Sequence, residues 1–210
     1  MSGLLDPVEA LAARIRACRI CRDAPRYGGA LPQQPRPLLQ LSATARICIA
    51  SQAPGVRAHA SGIPFNDPSG VRLRQWMGVS DTEFYDLTKI AIIPMGFCFP
   101  GTSKAGSDLP PRRECAETWH GQLFELLPQI ELFLLIGQYA QRFHMGKAVK
   151  EKSLHELMVD WRAVYRVDDR VRKVPLPHPS WRNSGWLKRN PWFEAELLPV
   201  LRADVRRLVG

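Results

Sequence analysis

The segment Ile130-Glu-Leu-Phe-Leu-Leu-Ile136 constrains the fold more than any other stretch of the chain. It is apolar at every position but Glu131, so both faces of an extended strand would be buried, and it is far too short to cross a bilayer. A strand apolar on both faces belongs in the middle of a parallel sheet covered by helices on both sides. Three further runs fit the same sheet: Arg46–Ala50, Lys89–Pro94 and Val171–Leu176. Amphipathic stretches alternate with them. Leu4, Leu5, Val8, Leu11, Ala12 and Ile15 share one helical face behind Asp6-Pro7; Val71, Leu73, Trp76 and Met77 share another, with Ser69-Gly70 as its start signal. Cys115, Trp119, Leu123 and Leu126 follow the second strand, Gly137 opens a helix after the third, and Leu154, Leu157, Met158 and Trp161 lie on one before the fourth. Phe193, Leu197, Leu198, Leu201, Val205 and Leu208 close the chain. Strands alternating with helices predict an α/β fold, a three-layer α/β/α sandwich around a four-stranded parallel sheet, in a single domain spanning residues 1–210.

The loop between the first strand and the next helix, Ser51–Gly70, is long and punctuated by proline and glycine. In open parallel sheets, ligands bind where such loops leave the carboxyl ends of the strands. This one gathers a carboxamide pair (Gln52, Asn66), an imidazole (His59), a carboxylate (Asp67) and an aromatic ring (Phe65) on a stiff backbone, the composition of a small-ligand pocket. The last strand delivers His178-Pro-Ser180 into a second loop at the same end.

Lys and Arg total 29 against 20 Asp and Glu, a formal charge of +9, which favours a polyanionic partner. The basic residues are spread along the chain, so a general solubility surface explains the excess equally well. The absence of a long apolar window and of a basic-then-apolar amino terminus predicts a soluble, cytoplasmic protein with no membrane partner. In that compartment five cysteines argue against a disulfide framework. Cys18 and Cys21 form one close pair, while sixteen residues separate Cys98 from Cys115; Cys48 sits inside the first strand as a core residue. Four thiols suit either an iron–sulfur cluster or structural zinc.

Gln52-Ala53-Pro54-Gly55 resembles the first motif of the uracil-DNA glycosylase superfamily, and His178-Pro-Ser180 resembles its second. Gly62-Ile-Pro-Phe65, Asp67-Pro-Ser-Gly70 and Asn183 are most similar to the iron–sulfur branches, families 4 and 5, in particular the type-B enzymes of family 5. The resemblance extends from Cys18 to the terminal helix. It implies a monofunctional DNA glycosylase, working as a monomer, that extrudes uracil or another deaminated base from single- or double-stranded DNA and hydrolyses its N-glycosidic bond to start base excision repair. It further implies that Phe65 stacks on the base and that His178 stabilises the departing base, helped by main-chain N–H groups around Gln52. Asp67 would stabilise the sugar cation or orient water. His59 is either a second water-orienting group or a surface imidazole. Ala53, Pro54, Gly55 and Ser180 line the base pocket. Trp181, Arg182 and Asn183 enter the minor groove, with Lys188 and Arg189 on phosphates, although packing under the terminal helix accounts equally well for Trp181, Trp186 and Trp192. Cys18, Cys21, Cys98 and Cys115 would hold a 4Fe–4S cluster.

Two departures stand out. The stretch Ile93–Cys98 has no asparagine where the family reads the base edge, so Asn66 or main-chain groups at Met95 to Phe97 are expected to substitute. Ala53 also stands where family 1 has aspartate. A catalytically silent damaged-DNA binder of the same fold, and a hydrolase of soluble nucleosides, are the competing readings.

Overall fold

The structure is a computed structural model that describes residues 6–146, 152–165 and 170–210; Leu4, Leu5, the segment 147–151 and the side chain of Leu154 lie outside the described residues. Strands β1 (Ile47–Ala50), β2 (Ile90–Ile92), β3 (Leu132–Ile136) and β4 (Arg172–Leu176) form one sheet in the order β2-β1-β3-β4, every pair parallel. Because side chains alternate across a strand, the sheet sorts them into two cores. Ile47, Ile49, Leu134 and Val174 face Leu73, Trp76, Phe193 and Val205. Cys48, Ala50, Phe133 and Leu135 face Ile15, Trp119 and Leu123. Helices therefore cover both faces, the expected three-layer sandwich, and full burial of Cys48 raises its thiol pKa as for any core cysteine.

Local chemistry sets the element ends. The first helix, Pro7–Arg16, is capped by Asp6, whose carboxylate accepts from the Val8 N–H at 2.7 Å, with proline in the first turn. The helix after the long loop, Pro68–Met77, starts earlier than Ser69-Gly70: Asp67 is its cap, accepting from Gly70 N at 2.8 Å, ahead of Pro68. Gly70 has a different task. A Cβ there would lie 1.7 Å from the Phe65 carbonyl oxygen, so the Phe65 backbone rests directly on the first turn. Phe65 itself is held at φ 56, a left-handed conformation uncommon for an aromatic residue.

Among the helical pieces that depart from the regular pattern are one in the long loop and one after β2. Within the long loop, Val56–Ser61 forms a short helix between Gly55 and Gly62, where only a loop is expected. In the run 113–125, a π-turn at Ala116–His120 inserts a residue, so that Cys115, Trp119, Leu123 and Leu127 are buried while Leu126 is only partly so. Along the terminal helix, Phe193 is fully buried and meets Trp76, Trp186 and Trp192 edge-on at centroid distances of 4.9–6.2 Å. Trp186 and Trp192 are thus packing residues, as one of the two explanations has it; Trp181, 77% exposed, is not.

The amino-terminal connection closes the β2 edge. Gln40 exchanges main-chain hydrogen bonds with Ile92 in both directions, and its buried amide donates to the carbonyls of Phe84 and Ile90. At the other edge, β4 carries Pro175, which has no N–H to offer a further strand.

Candidate active site

Both loops singled out above leave the carboxyl ends of parallel strands, Ser51–Gly70 from β1 and His178–Ser180 from β4, and they face one cleft of about 600 Å³. One wall carries Gln52, Ala53, Gly55, Arg57, Asp67 and Arg72; the opposite wall carries His178, Ser180, Trp181 and Arg182. Ser107 and Asp108 form the third side. Hydrogen bonds join the walls. Arg72 donates to the Ser180 carbonyl at 3.0 Å, Arg182 to the Ser107 hydroxyl at 3.4 Å, and the Gln52 amide to the Leu109 carbonyl at 3.1 Å. Asn183, expected at the DNA, donates its amide to the His178 carbonyl at 2.7 Å and so fixes the turn that presents the imidazole.

The cleft is electrostatically mixed. Burial lowers the His178 pKa, which the nearby carboxylates of Asp67 and Asp108 partly offset and Arg182 reinforces. The imidazole is therefore neutral at pH 7. Burial raises the Asp108 carboxyl above the ordinary carboxylate range, reinforced by Asp67 and opposed by His178 and Arg182. Two acids, a neutral imidazole and a rim of Arg57, Arg72 and Arg182 thus converge on a space large enough for one extruded nucleotide. Asp108 and Arg57 escape sequence reasoning, because nothing local to residues 106–108 signals that this loop folds back over Gly55, where an added Cβ would lie 3.4 Å from the Asp108 carboxylate.

Other expected site residues fall elsewhere. Phe65 packs edge-on to Phe84 at 6.1 Å, against the core beside the cleft. Pro54 is buried behind the wall, and Asn66 is exposed and outside it. His59 is turned by its short helix toward Phe99, 5.8 Å between ring centroids, with Arg36 on its main-chain carbonyl; it does not line the cleft. Lys188 and Arg189 are exposed on the helix Ser184–Arg189, beyond the cleft walls. The main chain at 95–97 is also committed: Met95 N donates to Ser51 O at 2.8 Å, Gly96 N to Gln52 O at 3.0 Å, and Phe97 N to the Cys115 sulfur. These N–H groups extend the β1–β2 ladder and brace a thiol, so they are not free to read a base.

Cys18, Cys21, Cys98 and Cys115 border one small cavity roofed by Leu31, Pro35 and Pro37. The Cys21 and Cys115 thiols hydrogen-bond to each other, lowering the pKa of the first and raising that of the second. Among the described residues, no three His, Cys, Asp or Glu side chains are grouped tightly enough to hold a single metal ion as they stand. A cubane cluster asks for something different, four thiolates around one shared space each bound to its own iron, and the four-sulfur donor set fits that chemistry.

The sequence profile of the uracil DNA glycosylase superfamily matches residues 40–202, from the strap on β2 into the terminal helix. Among solved structures, a solution NMR structure from Methanosarcina acetivorans, described there as a candidate uracil DNA glycosylase, is similar over 79% of this chain and 94% of its own, at 14% identity and a TM-score of 0.44. With the profile spanning both cleft-forming loops and all four strands, the chain belongs to the uracil DNA glycosylase superfamily.

Proposed function

We propose that the protein is a monofunctional DNA glycosylase that removes uracil or another deaminated base by hydrolysing its N-glycosidic bond. The observation that carries this reading is the meeting of Asp67 and His178 in one cleft at the carboxyl ends of β1 and β4. The nucleotide is extruded into the cleft, and the C1′–N bond breaks with its electron pair passing to the base. Water supplies the hydroxyl at C1′ and gives up its proton to a carboxylate or to solvent. His178, kept neutral by burial, donates a hydrogen bond to the base oxygen on which negative charge develops. Asp67 and Asp108, both on the cleft walls, would stabilise the positive charge that develops on the sugar. Trp181 at the rim fills the gap left in the duplex, and Arg57, Arg72 and Arg182 contact phosphates.

Uracil-, hypoxanthine- and xanthine-containing oligonucleotides, single- and double-stranded, treated with protein and then alkali test the reading. Scission at one of these bases is expected, and His178→Ala should slow it by about 10²-fold or more with the fold retained. No scission with any base overturns it. A second reading, binding without cleavage, draws on the stretch 94–97, which offers no side-chain amide and no free main-chain donor; retarded but uncut uracil-DNA selects it.

As part of the same proposal, Cys18, Cys21, Cys98 and Cys115 hold a 4Fe–4S cluster, placing the chain with the iron–sulfur branches. When bound, it supplies a covalent tie between the end of the first helix and the loop after β2, where a proline-rich strap leaves little core.

A further inference from the structure

A second cavity, about 620 Å³, opens on the far side of the loop that closes the catalytic cleft. Ser107 and Asp108 face the cleft while Leu109 and Pro110 face this cavity, so one stretch of chain is the wall of both. Its other sides are Tyr27, Met95, the run from Pro111 to Glu114, and Tyr139, Arg142 and Phe143 from the helix after β3. Since Met95 follows β2 and Tyr139 follows β3, the cavity lies at the same end of the sheet as the cleft.

Its lining is aromatic and cationic. Phe143 and Tyr27 are 46% and 39% exposed and open onto the same cavity. Arg113 lies over the Tyr27 ring at 5.4 Å, and both Arg113 and Arg142 are exposed and, among the described residues, paired with no carboxylate. Arg112 is different: it is tied to Gly29 O and to Glu114, a buried acid that also accepts from the main-chain N–H groups of Arg26 and Tyr27. The acid is thus neutralised internally, and the free charge on the cavity is positive. Rings open to solvent beside unpaired guanidinium groups suit unstacked bases on a phosphate backbone, in which any base can stack and the phosphates meet arginine.

We propose that this cavity is a second DNA subsite, which seats an unpaired nucleotide flanking the extruded one and gives the protein a preference for single-stranded DNA. The proposal rests on the glycosylase reading for its polymer but not for its chemistry. Continuity through the shared Asp108–Leu109 wall and charge complementarity commit it to a nucleic-acid strand rather than a protein partner.

The test is fluorescence anisotropy with an undamaged single-stranded oligonucleotide and its duplex, using wild type, Arg142→Glu and Phe143→Ala. Base–aromatic stacking contributes about 1–3 kcal/mol per base, so Phe143→Ala should weaken single-strand binding about 5-fold or more, with a smaller effect on duplex. Because the Phe143 ring also packs on His120 at 5.2 Å, Arg142→Glu serves as the variant with no packing role, and thermal unfolding confirms that each is folded. Single-strand affinities equal to wild type in both cavity variants overturn the subsite. If those variants weaken binding while no base is ever cleaved, the subsite stands and the glycosylase reading falls.

Discussion

At the scale of single residues, Asp67 does two jobs that substitution can separate. One carboxylate oxygen caps the helix Pro68–Met77 and the side chain lines the cleft. Asparagine caps as well as aspartate, while alanine loses about 1 kcal/mol. Asp67→Asn should therefore keep wild-type urea stability within about 0.5 kcal/mol yet cut the cleavage rate about 10²-fold, whereas Asp67→Ala loses both. An Asp67→Asn protein that cuts at the wild-type rate removes this carboxylate from the chemistry. Residues such as Asp67 and His178 are legible in sequence because their neighbours announce them: an acid before proline at a helix start, a histidine before Pro-Ser at a strand end. Asp108 is not, since its place depends on a loop returning from Cys98 to cover the cleft, and a distant fold-back leaves no local mark. Asn183 was legible as a residue near the site but not in its task, which is to hold the His178 turn.

At the scale of elements, β1, β2 and β3 follow from apolar runs, because a strand buried on both faces has little sequence freedom; β4 opens on the half-buried Arg172 and Lys173, as an edge strand can. The short helix Val56–Ser61 and the π-turn at Ala116–His120 were hidden, the first for want of enough residues to show a period, the second because one inserted residue breaks the period. The cysteine tie belongs here. Protein purified without oxygen should contain iron and acid-labile sulfide in equal amounts. Cys98→Ser should lose both and speed amide exchange in Pro7–Arg16 well before it affects β1; Cys48→Ala should keep the metal. Stoichiometric zinc, or full-length protein with no metal and unchanged exchange, rejects the cluster.

At the scale of the whole molecule, His120 and His144 set the acid limit. Both sit in an aromatic nest with Phe124, Phe133 and Phe143, and burial lowers their pKa values to about 4 and about 3. As pH falls below their ordinary value near 6.5, the unfolded chain takes up these protons and the folded one does not. Stability should then drop by about 1.4 kcal/mol per pH unit for each histidine, down to its folded pKa. Urea midpoints between pH 7 and 5 report the buried histidines, with His178 and His59 adding in the same direction, because paired carboxylates such as Glu83 release their contribution only at lower pH. A flat midpoint over that range contradicts the burial of both rings, and His144→Phe should make the slope shallower by one histidine's share.

Neither margin of the sheet is an open template: the Gln40 strap pairs with β2, and Pro175 removes an N–H from β4. A parallel sheet with an open margin is a template on which a neighbouring copy can zip itself by strand addition, the first step of fibrillar aggregation. Here the template is blunted on both sides, which disfavours strand addition between neighbouring copies at high protein concentration.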